Sequence, residues 1–209
     1  MKVLIAGSAG QLGRALQATA PANVTVIAPP EVDFDICDPE AVARVVAAAA
    51  PTLVINAAAY TAVDKAETEA AIAQRVNVNA VGLLASAARN AGAGFVHVST
   101  DFIFDGTAQL PYPPDALPNP LGVYGRTKLE GEEAARDLHG NPLIVRTAWV
   151  YAAKGANFVA TMLRLMRERS ELGVVADQIG TPTHVPTLAR TIWTLTQGGH
   201  TGTFHATDA

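Results

Sequence analysis

An α/β fold with a doubly wound parallel sheet is what the sequence predicts, and three observations carry the prediction. Short apolar runs of the buried-strand kind alternate with helical patterns along the whole chain. The first run, Val3-Leu4-Ile5-Ala6, leads straight into a glycine-rich turn with a helical pattern behind it. Hydrophobic residues make up 49% of the 209 and charged residues 16%, which suits a sizeable core and not a disordered chain. Strands separated by helices imply right-handed crossovers and a sheet covered on both faces. No repeat and no linker divides the sequence, so one domain over 1–209 is expected.

The turn Gly7-Ser8-Ala9-Gly10-Gln11-Leu12-Gly13 has the spacing G-x-x-G-x-x-G, and a helix runs from it through Leu16. Strand, glycine turn and helix in that order form the Rossmann layout. Glycine lets the backbone approach a pyrophosphate closely, and the helix N-terminus offers it unpaired N–H groups. Val24 to Ala28 reads as the second strand. After Asp33-Phe34-Asp35-Ile36 a helix should start with Asp38 as N-cap and Pro39 as its first residue, ending near Ala49. Leu53 to Asn56 is the third strand, opening into Ala57-Ala58-Ala59, small residues that leave room for a ligand at a strand's carboxyl end.

Two helical patterns follow, over about Val63–Ala73 and Asn77–Ala91, the second with Val81, Leu84, Ala85 and Ala88 on one face. Gly94 to Val98 is the fourth strand and ends in Ser99-Thr100-Asp101. His97, inside an apolar run, reads as a core histidine and not a catalyst. Gly106 to Pro120 is the longest loop, and loops of such length are often functional. The helix after it carries Tyr124 and Lys128, with Glu130, Glu132, Glu133 and Arg136 expected on a solvated face. Leu143 to Thr147 is a strand leading to Trp149-Val150-Tyr151. A helix over about Asn157–Arg169 is expected to bury Phe158, Met162, Leu165 and Met166. A helix around Pro186–Thr196 and a short strand over Gly202–His205 complete the pattern.

The chemistry centres on Tyr124-Gly125-Arg126-Thr127-Lys128. A Tyr and a Lys four apart share one helix face. A free phenol titrates near 10, and a neighbouring ammonium stabilises the phenolate and lowers that value. Such a tyrosine can protonate a carbonyl oxygen while a hydride reaches its carbon. The same pair also fits a surface helix that happens to carry both residues.

Composition narrows the classes. A net charge of -4 without a long basic run argues against nucleic acid as a partner. The lone Cys37 excludes an internal disulfide and suits a reducing, cytoplasmic setting. His97, His139, His184, His200 and His205 form no close pair at ligand spacing, so no histidine-based metal site is expected. The early apolar run is cut short by Gly7 and reads as a strand, not a signal peptide. No segment reaches the ~18 uninterrupted apolar residues of a membrane span.

Taken in order, these motifs resemble the extended short-chain dehydrogenase/reductases, and within them the dTDP-4-dehydrorhamnose reductase family. The resemblance rests on Asn56-Ala57-Ala58-Ala59-Tyr60-Thr61-Ala62-Val63-Asp64-Lys65-Ala66-Glu67 and on Ser99-Thr100-Asp101-Phe102-Ile103-Phe104-Asp105-Gly106. Val123-Tyr124-Gly125, Arg146 to Tyr151 and Asp177 to Thr183 extend it. It implies NADPH- or NADH-dependent reduction of the C4 ketone of dTDP-4-dehydrorhamnose to dTDP-L-rhamnose, a precursor of surface polysaccharide. Carried over by position, Tyr124 is the proton donor, Lys128 tunes it and bonds the nicotinamide ribose, and Thr100 orients the carbonyl. Gly7, Gly10, Gln11 and Leu12 would hold the pyrophosphate. Asp35 and Ile36 would border the adenine, and Ala57, Ala58 and Ala59 the rest of the cofactor. Asp101, Phe102 and Trp149 would touch the sugar.

Three departures accompany the resemblance. Phe102 stands where the family commonly has Tyr. Ala15 and Pro186 stand where some members have acidic residues for a magnesium-linked dimer, so that metal site is not carried over, although a homodimer stays in view. The family normally continues for several tens of residues past the Gly202–Ala206 strand. The expectation is a Rossmann domain over 1–209, with about 149–209 contributing to the substrate-binding portion and most of that small portion missing. Such a chain is expected to bind cofactor and to turn over sugar poorly. An acid at the end of the second strand would favour NADH. That strand ends in Ala28-Pro29-Pro30, and Arg14 could reach a 2′-phosphate, so NADPH is expected with NADH tolerated. Two rivals remain: an epimerase or dehydratase of the same superfamily that uses Asp101, and a non-catalytic regulatory subunit resembling that of methionine adenosyltransferase.

Overall fold

A computed structural model describes residues 1–155 and 157–208. Its main sheet is parallel throughout. The strands are β1 (Lys2–Ala6), β2 (Thr25–Ile27), β3 (Leu53–Asn56), β4 (Gly94–Thr100), β5 (Leu143–Thr147) and, after two short strands outside this sheet, β8 (Gly202–His205). They lie in the order β2-β1-β3-β4-β5-β8. The outside strands are β6 (Val150–Tyr151) and β7 (Thr183–His184), which pair with each other. Alternation along β1 shows why both faces are covered. Leu4 and Ala6 join one core with Val54, Val81, Leu84 and Phe95, while Val3 and Ile5 join the other with Ile55, Val96, Val145 and Trp193.

The first core is roofed by α2 (Pro39–Ala49), α5 (Ala80–Asn90) and α6 (Val123–His139), the second by α1 (Gln11–Ala18) and α8 (Val185–Gln197). Asp38 caps α2 as expected, accepting from Glu40 N at 2.9 Å. The expected helix over 63–73 is two short ones, α3 (Val63–Ala66) and α4 (Ala70–Gln74). Their break turns Glu67 toward α6, where its carboxylate accepts from Val123 N at 2.7 Å. Gly122, the N-cap of α6, has no side chain to do this, and an acid at a helix N-terminus is favourable.

A π-turn over Arg75–Asn79 joins α4 to α5, displacing the expected start of a regular helix at Asn77. Two further expectations fail. Glu132 is not on a solvated face but fully buried. Its carboxylate takes two bonds from Arg146, from Nε at 2.9 Å and Nη2 at 2.8 Å, and one from Arg136 at 2.9 Å. And α7 (Phe158–Glu168) forms but buries none of its residues, with Phe158 and Met166 more than half exposed. Its apolar stripe has the right period, but Met162 and Leu165 are only partly buried and Phe158 and Met166 stay exposed. Among the described residues, no helix is long and apolar enough to cross a membrane.

Candidate active site

The strand order changes direction at β1, which has β2 on one side and β3 on the other. Open parallel sheets bind ligands outside the carboxyl ends of such strands. The Gly7 turn follows β1, Ala57–Ala59 follow β3, Thr100 ends β4 and Thr147 ends β5, so the sequence motifs meet along one edge. Gly7 has φ +77, and a Cβ there would stand 2.6 Å from Ala58 N. Only glycine lets these two backbones pass so closely. A Cβ on Gly13 would stand 2.1 Å from Gly7 O, so that glycine lets α1 sit on the turn. Gly10 is the N-cap of α1 and brings no side chain across its N–H groups. Ser8 Oγ donates to Pro29 O at 2.6 Å, tying the turn to the chain beyond β2.

The other residues expected at the cofactor are less uniform. Gln11 is half-buried and accepts from Asn157 Nδ2 at 3.5 Å. Leu12 and Ile36 place their side chains in the two cores. Asp35 is exposed and its Oδ1 accepts from Cys37 N at 2.8 Å. Arg14 is exposed and donates to Ala9 O within its own turn. Ala57, Ala58 and Ala59 are half-buried along the crevice.

Helix α6 supplies the reactive side chains. Tyr124, Thr127, Lys128, Gly131, Glu132 and Ala135 form its buried face, the i, i+3, i+4, i+7 stripe of a helix lying on a sheet. Thr100 Oγ1 donates to Asp101 Oδ1 at 3.1 Å and accepts from Phe102 N at 3.2 Å, capping the 3₁₀ turn Asp101–Ile103. Phe102 meets Tyr124 edge to face at 5.5 Å, and a Cβ on Gly125 would lie 2.2 Å from Phe102 O, so α6 presses directly on this turn. Lys128 is buried and donates to Val98 O at 2.7 Å. Burial pushes it down to about 8, against the charge of Glu132. Burial also pushes the Tyr124 phenol up; a hydrogen bond with Thr100 draws it back and the Asp101 charge adds to the rise. The sequence led to the opposite expectation, a phenol lowered by the ammonium. Desolvation disfavours both charges, and it dominates here. Asp101 is likewise raised by burial, opposed by its bond from Thr100.

Trp149 leaves β5 two residues beyond Thr147, which pairs in register with Thr100. It is one of two non-glycine residues described at positive φ, at +46, and its indole lies against Gly180. Strained backbone of this kind collects at functional sites. The sequence reading missed Asn77. It sits in the π-turn, accepts from Tyr60 N at 2.9 Å, and donates to Tyr60 O at 3.1 Å and Thr127 Oγ1 at 3.2 Å. It thereby joins the loop after β3 to the helix of Tyr124 and Lys128. An Asn within an otherwise helical, largely apolar pattern was the signal available for it. The sequence reading also missed the contacts of His97, which is buried as expected but bonded to both Asn56 and Lys128.

Known proteins match this chain throughout. The family model described as RmlD substrate binding domain covers residues 1–209. A dTDP-4-dehydrorhamnose reductase of Burkholderia thailandensis is 46% identical over 189 residues, which is 90% of this chain and 63% of that protein. The chain thus spans less than two thirds of that relative's length. The crystal structure of a dTDP-4-dehydrorhamnose reductase from Clostridium acetobutylicum superposes with a TM-score of 0.96 at 44% identity, over 100% of this chain and 75% of that one. The corresponding enzyme of Bacillus anthracis, solved in complex with NADP, gives a TM-score of 0.96 at 38% identity, over 100% of this chain and 74% of that one. With the glycine turn, the Thr100–Tyr124–Lys128 group and the sheet order all in place, the chain belongs to the RmlD substrate-binding-domain family.

Proposed function

We propose that the chain binds NADPH, tolerating NADH, and takes part in reducing the C4 ketone of dTDP-4-dehydrorhamnose to dTDP-L-rhamnose. The observation that carries this reading is the meeting of Thr100, Tyr124 and Lys128 beside the glycine turn at one edge of the sheet. Residues 1–209 act as the cofactor domain, and about 149–209 contribute to holding the sugar. The local structure fits a dinucleotide: Gly7 brings the turn against Ala58 where a side chain would collide, and Gly10 leaves the N-terminus of α1 open to a pyrophosphate. Gly7, Gly10, Gln11 and Leu12 would hold that group, the last through its backbone. Asp35 and Ile36 would flank the adenine, and Ala57, Ala58 and Ala59 the remainder. When bound, the cofactor supplies the hydride.

The chain's own residues supply the proton and the alignment. Tyr124, kept protonated by its burial, gives its phenolic proton to the carbonyl oxygen as negative charge develops there. Thr100 orients that oxygen from the end of β4. Lys128 stabilises the phenolate and reaches the ribose. Asp101, Phe102 and Trp149 border the sugar. A cytoplasmic setting and a homodimer belong to the same reading.

The test is turnover of the dTDP-keto-sugar, followed by loss of NADPH absorbance, together with binding of each cofactor. Tyr124→Phe is expected to lower kcat by about 10²–10⁴ with little change in NADPH affinity. Lys128→Met is expected to weaken both. Near-normal turnover in Tyr124→Phe would remove the tyrosine from the mechanism. A tighter Kd for NADH than for NADPH would reverse the cofactor assignment.

A further inference from the structure

A line of hydrogen bonds stands behind Lys128. Asn56 at the end of β3 pairs in register with His97 of β4, and both are fully buried. Ala58 N donates to Asn56 Oδ1 at 3.1 Å. A backbone N–H can only donate, so this bond fixes which way the carboxamide faces. Its Nδ2, also only a donor, then meets His97 Nδ1 at 3.2 Å. Nδ1 must therefore carry a lone pair, and a neutral imidazole with a bare Nδ1 keeps its proton on Nε2. That Nε2 faces Lys128 Nζ at 3.4 Å, while Nζ donates to Val98 O at 2.7 Å. An ammonium has no lone pair, so Nε2–H against it sets donor against donor. A neutral amine has one, and can accept from Nε2–H while still donating to Val98 O.

We infer that His97, held by Asn56 as the Nε2–H tautomer, is a positioning residue that adds to burial in biasing Lys128 toward its neutral amine and so shifts the pH at which Lys128 gains charge. Other groups act on the same lysine. Glu132, one turn further along α6, favours the ammonium, but its carboxylate is shared with Arg146 and Arg136. Tyr124 lies one turn earlier on α6, with Asp101 of the turn after β4 acting on it. Burial, then Lys128, then Arg136 keep His97 itself well below its ordinary value, so it stays neutral and the tautomer argument holds across the working range. This deepens the proposed reduction and rests on it only for its consequence. The cationic help that Lys128 gives to a Tyr124 phenolate becomes pH-gated, present below the lysine's titration and lost above it.

Nuclear magnetic resonance on the ¹⁵N-histidine- and ¹³C-lysine-labelled chain tests this without cofactor or sugar. His97 should show a pyridine-type Nδ1 and a pyrrole-type Nε2, assigned by their loss in His97→Gln. Lys128 should titrate below the ordinary lysine range. Asn56→Asp offers Nδ1 a carboxylate oxygen, draws the proton there and frees Nε2 to accept from an ammonium. The Lys128 titration should then rise by about 1–3 pH units. His97→Gln, whose amide can turn its oxygen to the ammonium, should move it the same way. A pyrrole-type Nδ1 in the parent chain, or a Lys128 titration unchanged in His97→Gln, overturns the inference. Those two readouts decide it even where Asn56→Asp does not fold. Failure to reduce the sugar would overturn the proposed function and leave this result standing.

Discussion

Tyr124 and Lys128 show how one environment acts on two groups of opposite charge. Burial disfavours ions of either sign, so it raises the phenol and lowers the ammonium. For the lysine this makes a stability prediction. Its value falls from 10.5 to about 8 on folding. Between those limits the unfolded chain binds more protons than the native one, so stability rises with pH across that window. Below pH 8 the fold carries the full cost of burying the ammonium, about 3 kcal/mol by linkage. Lys128→Met should therefore be more stable than the parent chain at pH 7. The difference should shrink as pH climbs from 8 toward 10.5. Urea unfolding of both chains at several pH values measures it, and a difference that does not vary with pH would refute the assignment. The expectation that Tyr124 and Lys128 share a face was legible from their spacing. The direction of the phenol's shift was not, because spacing says nothing of depth.

At the scale of elements, α6 is positioned by the side chains it lacks. A Cβ on Gly131 would lie 2.1 Å from Asn77 O in the π-turn, and one on Gly125 equally close to Phe102 O. Two backbones therefore touch α6 directly, one beside the proposed cofactor loop and one beside the proposed sugar site. Gly131→Ala has an ordinary helical φ to occupy and should gain helix propensity. It must nevertheless push α6 away from the π-turn, and overpacking of this kind costs about 1–3 kcal/mol. The predicted result is a lower Tm despite the better helix former, with weakened NADPH binding because Asn77 then loses Thr127. A Tm equal to or above that of the parent would show that the contact yields freely. The π-turn itself was hidden from sequence reasoning. Its residues keep a helical composition, and the extra residue per turn follows from how α4, α5 and α6 pack.

At the scale of the molecule, one buried carboxylate joins distant parts of the chain. Glu132 on α6 holds Arg146 of β5 through two bonds; Arg146 also donates to Pro114 O at 2.9 Å in the long loop and lies over the Phe104 ring. Arg136, which bonds the same carboxylate, reaches Thr203 of β8 at 3.2 Å. Burial alone would raise Glu132, but Arg146 above all, with Ser99 and Arg136 adding to it, holds it below the usual carboxylate range. Glu132→Gln leaves the Arg146 guanidinium charged in the interior without a counter-ion. Removing one partner of such a pair costs about 3–5 kcal/mol. The midpoint of urea unfolding should fall accordingly, and the long loop should become more open to limited proteolysis. A variant as stable as the parent would show that water reaches this pair.

The sequence by itself determined the sheet and its sense. Val3–Ala6, Leu53–Asn56 and Leu143–Thr147 are short apolar runs between helical patterns, and a chain of that kind has few ways to bury them. It also determined which edge carries the site, since a glycine turn, small residues and hydroxyls each follow a strand's end. Glu132 could have been placed as well: it lies eight residues from Tyr124 and four from Lys128, on the very face already assigned to them. Its charge argued for solvent, and only the fold could bring Arg146, fourteen residues away on the next strand, to meet it. The same holds for α7, whose period is amphipathic but whose stripe is only partly covered. Periodicity is a local property of the chain and can be read from it. Burial depends on which segments arrive opposite one another, and that is settled only when the strands take their order.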